Sequence, residues 1–90
     1  MARAIADPDE IRKFARDLKR FNTTVQEQMG SVHGRFRSLG ETWQDQEHEA
    51  FSEEFEQMMR TVKKFVEASD QHIPFLMRKA DRLDDYLGQR

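Results

Sequence analysis

Residues 39–51 read LGETWQDQEHEAF, and they separate two long stretches in which apolar residues recur every three or four positions. Gly40 is able to end the preceding helix in the left-handed conformation, and Thr42 or Asp45 can cap the helix that follows. A connection of about six residues between two helices is typical of an antiparallel hairpin. This stretch therefore predicts an all-α fold in which the chain turns back on itself once.

The first helix has a clear start signal and one apolar stripe. Asp7 can accept hydrogen bonds from the free amides of the first turn, and Pro8 has no amide to lose there. We expect this helix to cover about residues 8–40. Its apolar residues follow steps of three or four, as one helix face requires. They are Ile11, Phe14, Leu18, Phe21, Val25, Met29, Val32, Phe36 and Leu39.

The second helix is expected over about residues 46–87, with a stripe of the same rhythm. Pro74 interrupts it, because proline removes one backbone hydrogen bond and clashes with the preceding turn. The helix either kinks there or stops and restarts with Asp70 as its cap. The stripe stays in phase across the proline, which favours one kinked, continuous helix. The stripe residues are Phe51, Phe55, Met58, Val62, Phe65, Leu76, Leu83 and Leu87.

Charge and composition exclude several classes of function. The 90 residues form a single predicted domain with 15 Lys and Arg, 17 Asp and Glu and a net charge of -2. This balance lacks the positive excess of a nucleic-acid arm or a polybasic membrane anchor. The chain has no cysteine, which excludes disulfides and thiolate sites. No apolar run approaches the ~18 residues of a membrane span, so stable membrane insertion is not expected.

The sequence also lacks a recognisable catalytic or metal-binding pattern. No two of His33, His48 and His72 have the spacing of a helical two-histidine site. Asp45 and His48 do have the carboxylate–histidine spacing of di-iron bundles, but the first stripe offers no matching carboxylates. We therefore expect neither an enzyme nor a cofactor.

The two stripes hold more apolar surface than a lone hairpin can cover. Each helix shields only part of the other, and 7 Phe in one short chain would leave a wide surface in water. A second hairpin packed face to face would produce a four-helix bundle. A two-fold homodimer is the expected arrangement, and a heterodimer with a related hairpin is equally allowed.

Several of these positions together resemble a known family. Leu39 precedes the turn, Trp43 lies in it, and Glu49, Ala50 and Phe51 open the second helix. A hairpin of this length with a turn tryptophan is similar to the WXG (Trp-Xaa-Gly) family of early-secreted-antigen-like proteins, the small substrates of type VII secretion systems. The resemblance covers nearly the whole chain. It implies a non-enzymatic protein that pairs with another hairpin and has a secretion ATPase among its partners.

Two positions depart from that family's pattern. Asp45 stands where the family has glycine, although Asp tolerates positive φ better than most residues and can also cap a helix. The family's export signal is Tyr-x-x-x-Asp/Glu, whereas here Tyr86 is followed four residues later by Arg90. A partner carries the signal, or another signal serves, or the chain is not exported by that route.

Trp43 has two interpretations. In the first, it packs over the end of the hairpin and shields both helices. In the second, which the resemblance implies, it forms a recognition surface with the segment near Tyr86 of another subunit, because antiparallel hairpins place the turn of one beside the termini of the other.

Three functions follow as hypotheses. The first is a type VII secretion substrate or its carrier, cytoplasmic before export and secreted without a cleaved signal peptide, because residues 1–6 are too short and polar-flanked to be one. The second is an intracellular coiled-coil adaptor that is not exported. The third, a helical regulator of nucleic acid, is disfavoured by the charge balance.

Overall fold

The computed structural model describes residues 6–88 and contains two α-helices, α1 (Pro8–Leu39) and α2 (Gln46–Gly88). The helices lie side by side and antiparallel in a rod of 69 × 18 × 17 Å. The predicted all-α hairpin is thereby confirmed, and each predicted helix end lies within one residue of the observed one. Residues 1–5, within the segment considered as a signal peptide, and Arg90 lie outside the described residues.

The N-terminus of α1 is capped as the sequence predicts. The Asp7 carboxylate accepts a 2.9 Å hydrogen bond from the backbone amide of Asp9. Pro8 occupies the first helical position, where it loses no hydrogen bond. Asp9 and Glu10 add negative charge beside the positive end of the helix dipole.

The C-terminus of α1 corrects one expectation. Gly40 is not left-handed: its φ is -62° and its ψ is -15°. Its amide donates at 3.2 Å to the carbonyls of both Phe36 and Arg37, so the backbone continues its right-handed winding into the turn. A left-handed cap is unnecessary here, because the amide of Trp43 binds the Leu39 carbonyl at 3.0 Å.

The turn ends at Asp45, which caps α2. Its carboxylate accepts a 2.9 Å hydrogen bond from the backbone amide of His48. Thr42, the alternative cap, instead donates its hydroxyl to the Leu39 carbonyl at 3.3 Å. Asp45 does not adopt positive φ, and the capping explanation for Asp in this position is the one the geometry supports.

The second helix runs without a break through Pro74. The phase of the apolar stripe predicts one continuous helix across the proline, and the structure agrees. Proline lacks the amide that would bind the Asp70 carbonyl, so α2 continues through Pro74 without that one backbone hydrogen bond.

The core between the helices is narrow. Its fully buried apolar residues are Ala15, Phe55, Val66 and Ala80. The radius of gyration is 20.4 Å, whereas a compact domain of this length has about 12 Å. The accessible surface is 7400 Å², against roughly 5,500 Å² for a compact monomer of this mass. A single hairpin thus leaves close to 2,000 Å² of additional surface in water.

An ion cluster joins the helices near the open end of the hairpin. The Arg12 guanidinium donates to Asp81 at 2.8 Å and to Asp84 across the hairpin, and to Asp9 on its own helix at 3.4 Å. The hydrogen bonds to Asp81 and Asp84 raise the pKa of Arg12 above its ordinary value. Arg12 therefore stays charged and fixes α2 against the first turns of α1.

Candidate protein-interaction site

Large apolar side chains form one exposed strip along the hairpin, which we call the apolar face. Within α1 and within α2 its members lie at helical spacings, so they project from one side of each helix. Between 39% and 57% of each side chain is exposed, which is unusual for phenylalanine in a monomer. The apolar face consists of Phe14, Phe21, Val32, Leu39, Phe51, Met58 and Phe65.

The two halves of the apolar face are joined across the hairpin. The rings of Phe21 and Phe65 meet edge to face with centroids 6.5 Å apart. Beside them lies an open groove with a volume of about 260 Å³. Val25 and Val32 of α1 and Met59 and Val62 of α2 line it. The surface is therefore continuous from one helix to the other.

An aromatic cluster closes the turn end of the hairpin. Phe36 packs on Phe55 with ring centroids 4.5 Å apart, and His48 stacks on Phe36 at 5.3 Å. Trp43 contacts His48 at 5.0 Å and Phe51 at 6.0 Å. Trp43 is half-buried in this cluster, which is the packing role that its first interpretation describes.

Tyr86 lies far from the turn. It is 70% exposed in the last turns of α2, at the opposite end of a 69 Å rod from Trp43. One chain therefore does not bring Trp43 and Tyr86 together. Only an antiparallel partner would place one beside the other.

The remaining residues of the predicted motif serve the start of α2. Asp45 caps the helix, Ala50 is exposed one turn later, and Phe51 joins the aromatic cluster to the apolar face. The other stripe residues line the seam between the helices. Phe55 is buried, and the half-buried positions are Ile11, Leu18, Val25, Met29, Phe36, Val62, Leu76, Leu83 and Leu87.

The spacing of apolar residues in the sequence does not predict two polar contacts across the hairpin. Asn22 is 1% exposed and donates to the Asp70 carboxylate at 2.9 Å. His33 lies 3.2 Å from Glu56 through its Nε2 atom. Asn22 lies four residues after Leu18, in phase with the apolar stripe of α1. A polar residue at such a position is the sequence signal that could have predicted the contact with Asp70.

The described residues hold no cluster suited to metal chemistry. Within residues 6–88, no three His, Asp or Glu side chains are grouped so that they could hold a metal ion. The Asp45 carboxylate is occupied by the His48 backbone amide and acts as a cap. Neither α1 nor α2 is long and apolar enough, in the part described, to cross a membrane.

Comparison with known proteins gives one match. The family model WXG100, described as proteins of 100 residues with WXG, matches residues 5–86. No curated protein and no solved structure matches the chain.

Proposed function

The chain belongs to the WXG100 family. From this membership we propose that it is not an enzyme and acts as a type VII secretion substrate or as the folded carrier of one. The observation that carries the proposal is the apolar face. Seven large side chains on one side of a thin rod require a second surface to cover them. A second hairpin has the matching length and shape.

The proposed complex is a four-helix bundle. The excess surface of the lone hairpin, close to 2,000 Å², exceeds the ~800 Å² that each partner contributes to an ordinary stable interface. Four-helix packing of this kind gives an obligate dimer, either of two identical chains or of this chain with a related hairpin.

In such a bundle Trp43 and Tyr86 have a second role. The turn of one subunit lies beside the chain termini of the other. Trp43 of one subunit and Tyr86 of the other then form a surface that a secretion ATPase binds. Both are accessible in the single hairpin, Trp43 in part and Tyr86 for 70% of its surface.

Export is tested by fractionating cultures of a host with a functioning type VII system. Mass spectrometry of the medium, with a cytosolic enzyme as lysis control, should detect the wild-type chain. Trp43→Phe keeps a ring against His48 and Phe51 but changes the exposed edge, and it should reduce export while the bundle still forms. Unchanged export of a folded Trp43→Phe variant would remove the recognition role.

A second candidate is an intracellular coiled-coil adaptor. It is favoured by one observation, namely that Arg90 stands where the family's export signal has an acid. Strict retention in the cytosol, with the dimer intact, would support the adaptor and contradict the secretion role.

A further inference from the structure

A second exposed surface lies on the side of α2 that points away from α1. Phe75 is 51% exposed, and it follows the buried Val66 by nine residues, or about two and a half turns, so it projects opposite the seam between the helices. Phe65 of the apolar face lies ten residues before it, which is about 80° away around the helix. The apolar face therefore does not explain the exposure of Phe75.

Basic side chains surround Phe75 on this side of α2. Arg78 lies three residues after it, Lys79 four and Arg82 seven. Residues at these spacings are neighbours on a helix surface. Arg78 and Arg82 are exposed, and Lys79 is half-buried. Phe75 and these three bases form what we call the basic strip, which is about 10 Å long.

The charges of the basic strip are not neutralised within the hairpin. In residues 6–88, its three bases form no ion pair, and Phe75 has no ring contact. Two acids of the same segment are engaged elsewhere, because Asp81 and Asp84 both accept hydrogen bonds from Arg12 of α1. This part of α2 thus turns these acids toward α1 and its bases toward solvent.

Asp85 stands at the edge of the basic strip. It is exposed and lies three residues after Arg82, but within residues 6–88 the two form no ion pair. Its carboxylate lowers the positive potential at this end of the strip. Removal of that charge is therefore expected to favour the binding of an acidic ligand.

The shape of the basic strip favours a helix as its ligand. The strip is the convex outer surface of a continuous helix, whose backbone groups are not available to pair with a strand. A second helix can pack along it through side chains alone. Arg78 and Arg82 are one turn apart and match two carboxylates one turn apart on such a helix. An apolar side chain between those carboxylates would cover Phe75.

The charge of the rest of the chain disfavours a long polyanion. The net charge is -2, and the turn half of α2 has acids but no lysine or arginine between residues 46 and 59. A nucleic acid or an anionic lipid surface that extends beyond the basic strip meets these acids and is repelled by them. A short acidic segment of a protein contacts the basic strip without reaching them. The acids are Glu47, Glu49, Glu53, Glu54 and Glu56.

We propose that the basic strip is a docking site for an acidic helical segment of another protein, with Phe75 at its centre and Arg78 and Arg82 bound to carboxylates. Aromatic and arginine side chains dominate the binding energy of many protein interfaces. The inference goes beyond the proposed function, because it adds a further protein to the hairpin pair and uses a different surface.

Fluorescence anisotropy of a labelled peptide tests the docking site. The probe is a synthetic helical peptide of about 15 residues, in which leucine is flanked by glutamates one turn apart, and the control peptide has glutamine in place of every glutamate. At about 50 mM salt, the wild-type chain should bind the acidic probe at least about tenfold more tightly than the control peptide.

Variants of the basic strip locate the binding. Arg78→Glu combined with Arg82→Glu should weaken binding of the acidic probe about tenfold, and Phe75→Ala about fivefold. Asp85→Asn should strengthen it about twofold. All four side chains are exposed, so the variants should keep the helical content and the particle mass of the wild type.

The same side of α2 offers matched controls. Each exposed residue of the basic strip has a counterpart eighteen residues, or about five turns, earlier, which points in the same direction. The counterparts are Gln57, Arg60 and Lys64, all exposed. Arg60→Glu combined with Lys64→Glu changes the net charge as much as the reversal in the strip, and Gln57→Ala is the counterpart of Phe75→Ala. These controls should change binding of the acidic probe by less than about twofold.

Three results of the titration would overturn the proposal. The first is equal binding of the acidic probe and the control peptide. The second is an equal effect of the strip variants and of their counterparts. The third is tighter binding of a DNA duplex of about 20 base pairs, or of phosphatidylserine vesicles, with loss in the strip variants, which would assign the strip to a polyanion.

Photo-crosslinking tests the site in cells that produce the chain naturally. p-Benzoylphenylalanine replaces Phe75, or Gln57 as the control, and mass spectrometry identifies the crosslinked peptide. An adduct at position 75 that disappears with Arg78→Glu and Arg82→Glu, and whose partner peptide is rich in Asp and Glu, is the expected result. No adduct at position 75, an equal one at position 57, or a partner peptide without acids would contradict the proposal.

Discussion

The side-chain amide of Asn22 donates a 2.9 Å hydrogen bond to the carboxylate of Asp70, across the seam between the helices. Lys19 approaches the same carboxylate oxygen at 3.8 Å. Asn22 is 1% exposed, and neither its Oδ1 atom nor the Ser69 hydroxyl has a partner. A shift of one helix along the other would leave the Asn22 amide group unpaired as well, so this contact favours one register of the hairpin.

A double-mutant cycle measures that contact. Asn22→Ala, Asp70→Ala and the double variant should give a coupling energy of about 1–2 kcal/mol in the free energy of unfolding, because the bond is charge-assisted but Asp70 is partly hydrated. Urea unfolding at fixed protein concentration provides the measurement. Asp85 is exposed, and Asp85→Ala combined with Asn22→Ala should be additive. Additivity of the Asn22 and Asp70 changes would refute the contact.

The aromatic cluster at the turn should carry a large part of the stability. Phe55 is 6% exposed and contacts Phe36 and Phe51, so Phe55→Ala should lower the free energy of unfolding by about 3–5 kcal/mol. Phe75 is 51% exposed and lies outside the apolar face, and Phe75→Ala should cost less than about 1 kcal/mol. If urea unfolding showed that Phe55→Ala and Phe75→Ala lower the free energy of unfolding equally, the aromatic cluster would not be part of the core.

Trp43 should contribute to folding as well as to any recognition. Trp43→Ala removes ring contacts with His48 and Phe51, and we expect a loss of about 1–3 kcal/mol. Trp43→Phe should lose less, because a ring remains. Thermal unfolding followed by circular dichroism ranks the two variants. An unfolding temperature unchanged by Trp43→Ala would show that the tryptophan is not part of the packing.

The Arg12 cluster should hold the open end of the hairpin closed. Arg12→Gln should increase amide hydrogen exchange several-fold in the first turns of α1 and the last turns of α2, and leave the turn end unchanged. Arg16 makes no ion pair among the described residues, so Arg16→Gln is the matched control. Uniform acceleration along the whole rod would contradict a local role.

The pH dependence of this effect follows from the pKa shift. Folding raises the pKa of Arg12, so its contribution is complete below the ordinary arginine pKa and is lost only as the pH rises through the higher folded value. The difference in protection between wild type and Arg12→Gln should therefore be equal at about pH 6 and about pH 9. A difference that falls between these values would point to another titrating group.

Much of the fold follows from local sequence. Asp7 and Pro8 define the start of α1, Asp45 caps α2, and the phase of the stripe predicts continuity through Pro74. These features depend on neighbouring residues alone. The expectation of a left-handed Gly40 was wrong. The way a helix ends depends on which amides of the following turn bind its last carbonyls, and here the Trp43 amide binds the Leu39 carbonyl.

The division of the stripe between seam and surface could not be predicted. Phe55 and Phe65 have the same place in the sequence pattern, yet the structure buries the first and exposes 55% of the second. That difference is set by the rotation of each helix about its axis. It depends on contacts between residues far apart in the sequence, such as the hydrogen bond of Asn22 with Asp70, 48 positions away.

The mass of the particle in solution tests the central claim most directly. Size exclusion coupled to light scattering at micromolar concentration should give twice the chain mass of 10.7 kDa, in an elongated particle. The apolar face, covered by a second copy, then forms the core of a four-helix bundle. A stable particle of 10.7 kDa, both for the chain alone and for the chain mixed with a related hairpin, would leave seven large apolar side chains exposed and contradict the account.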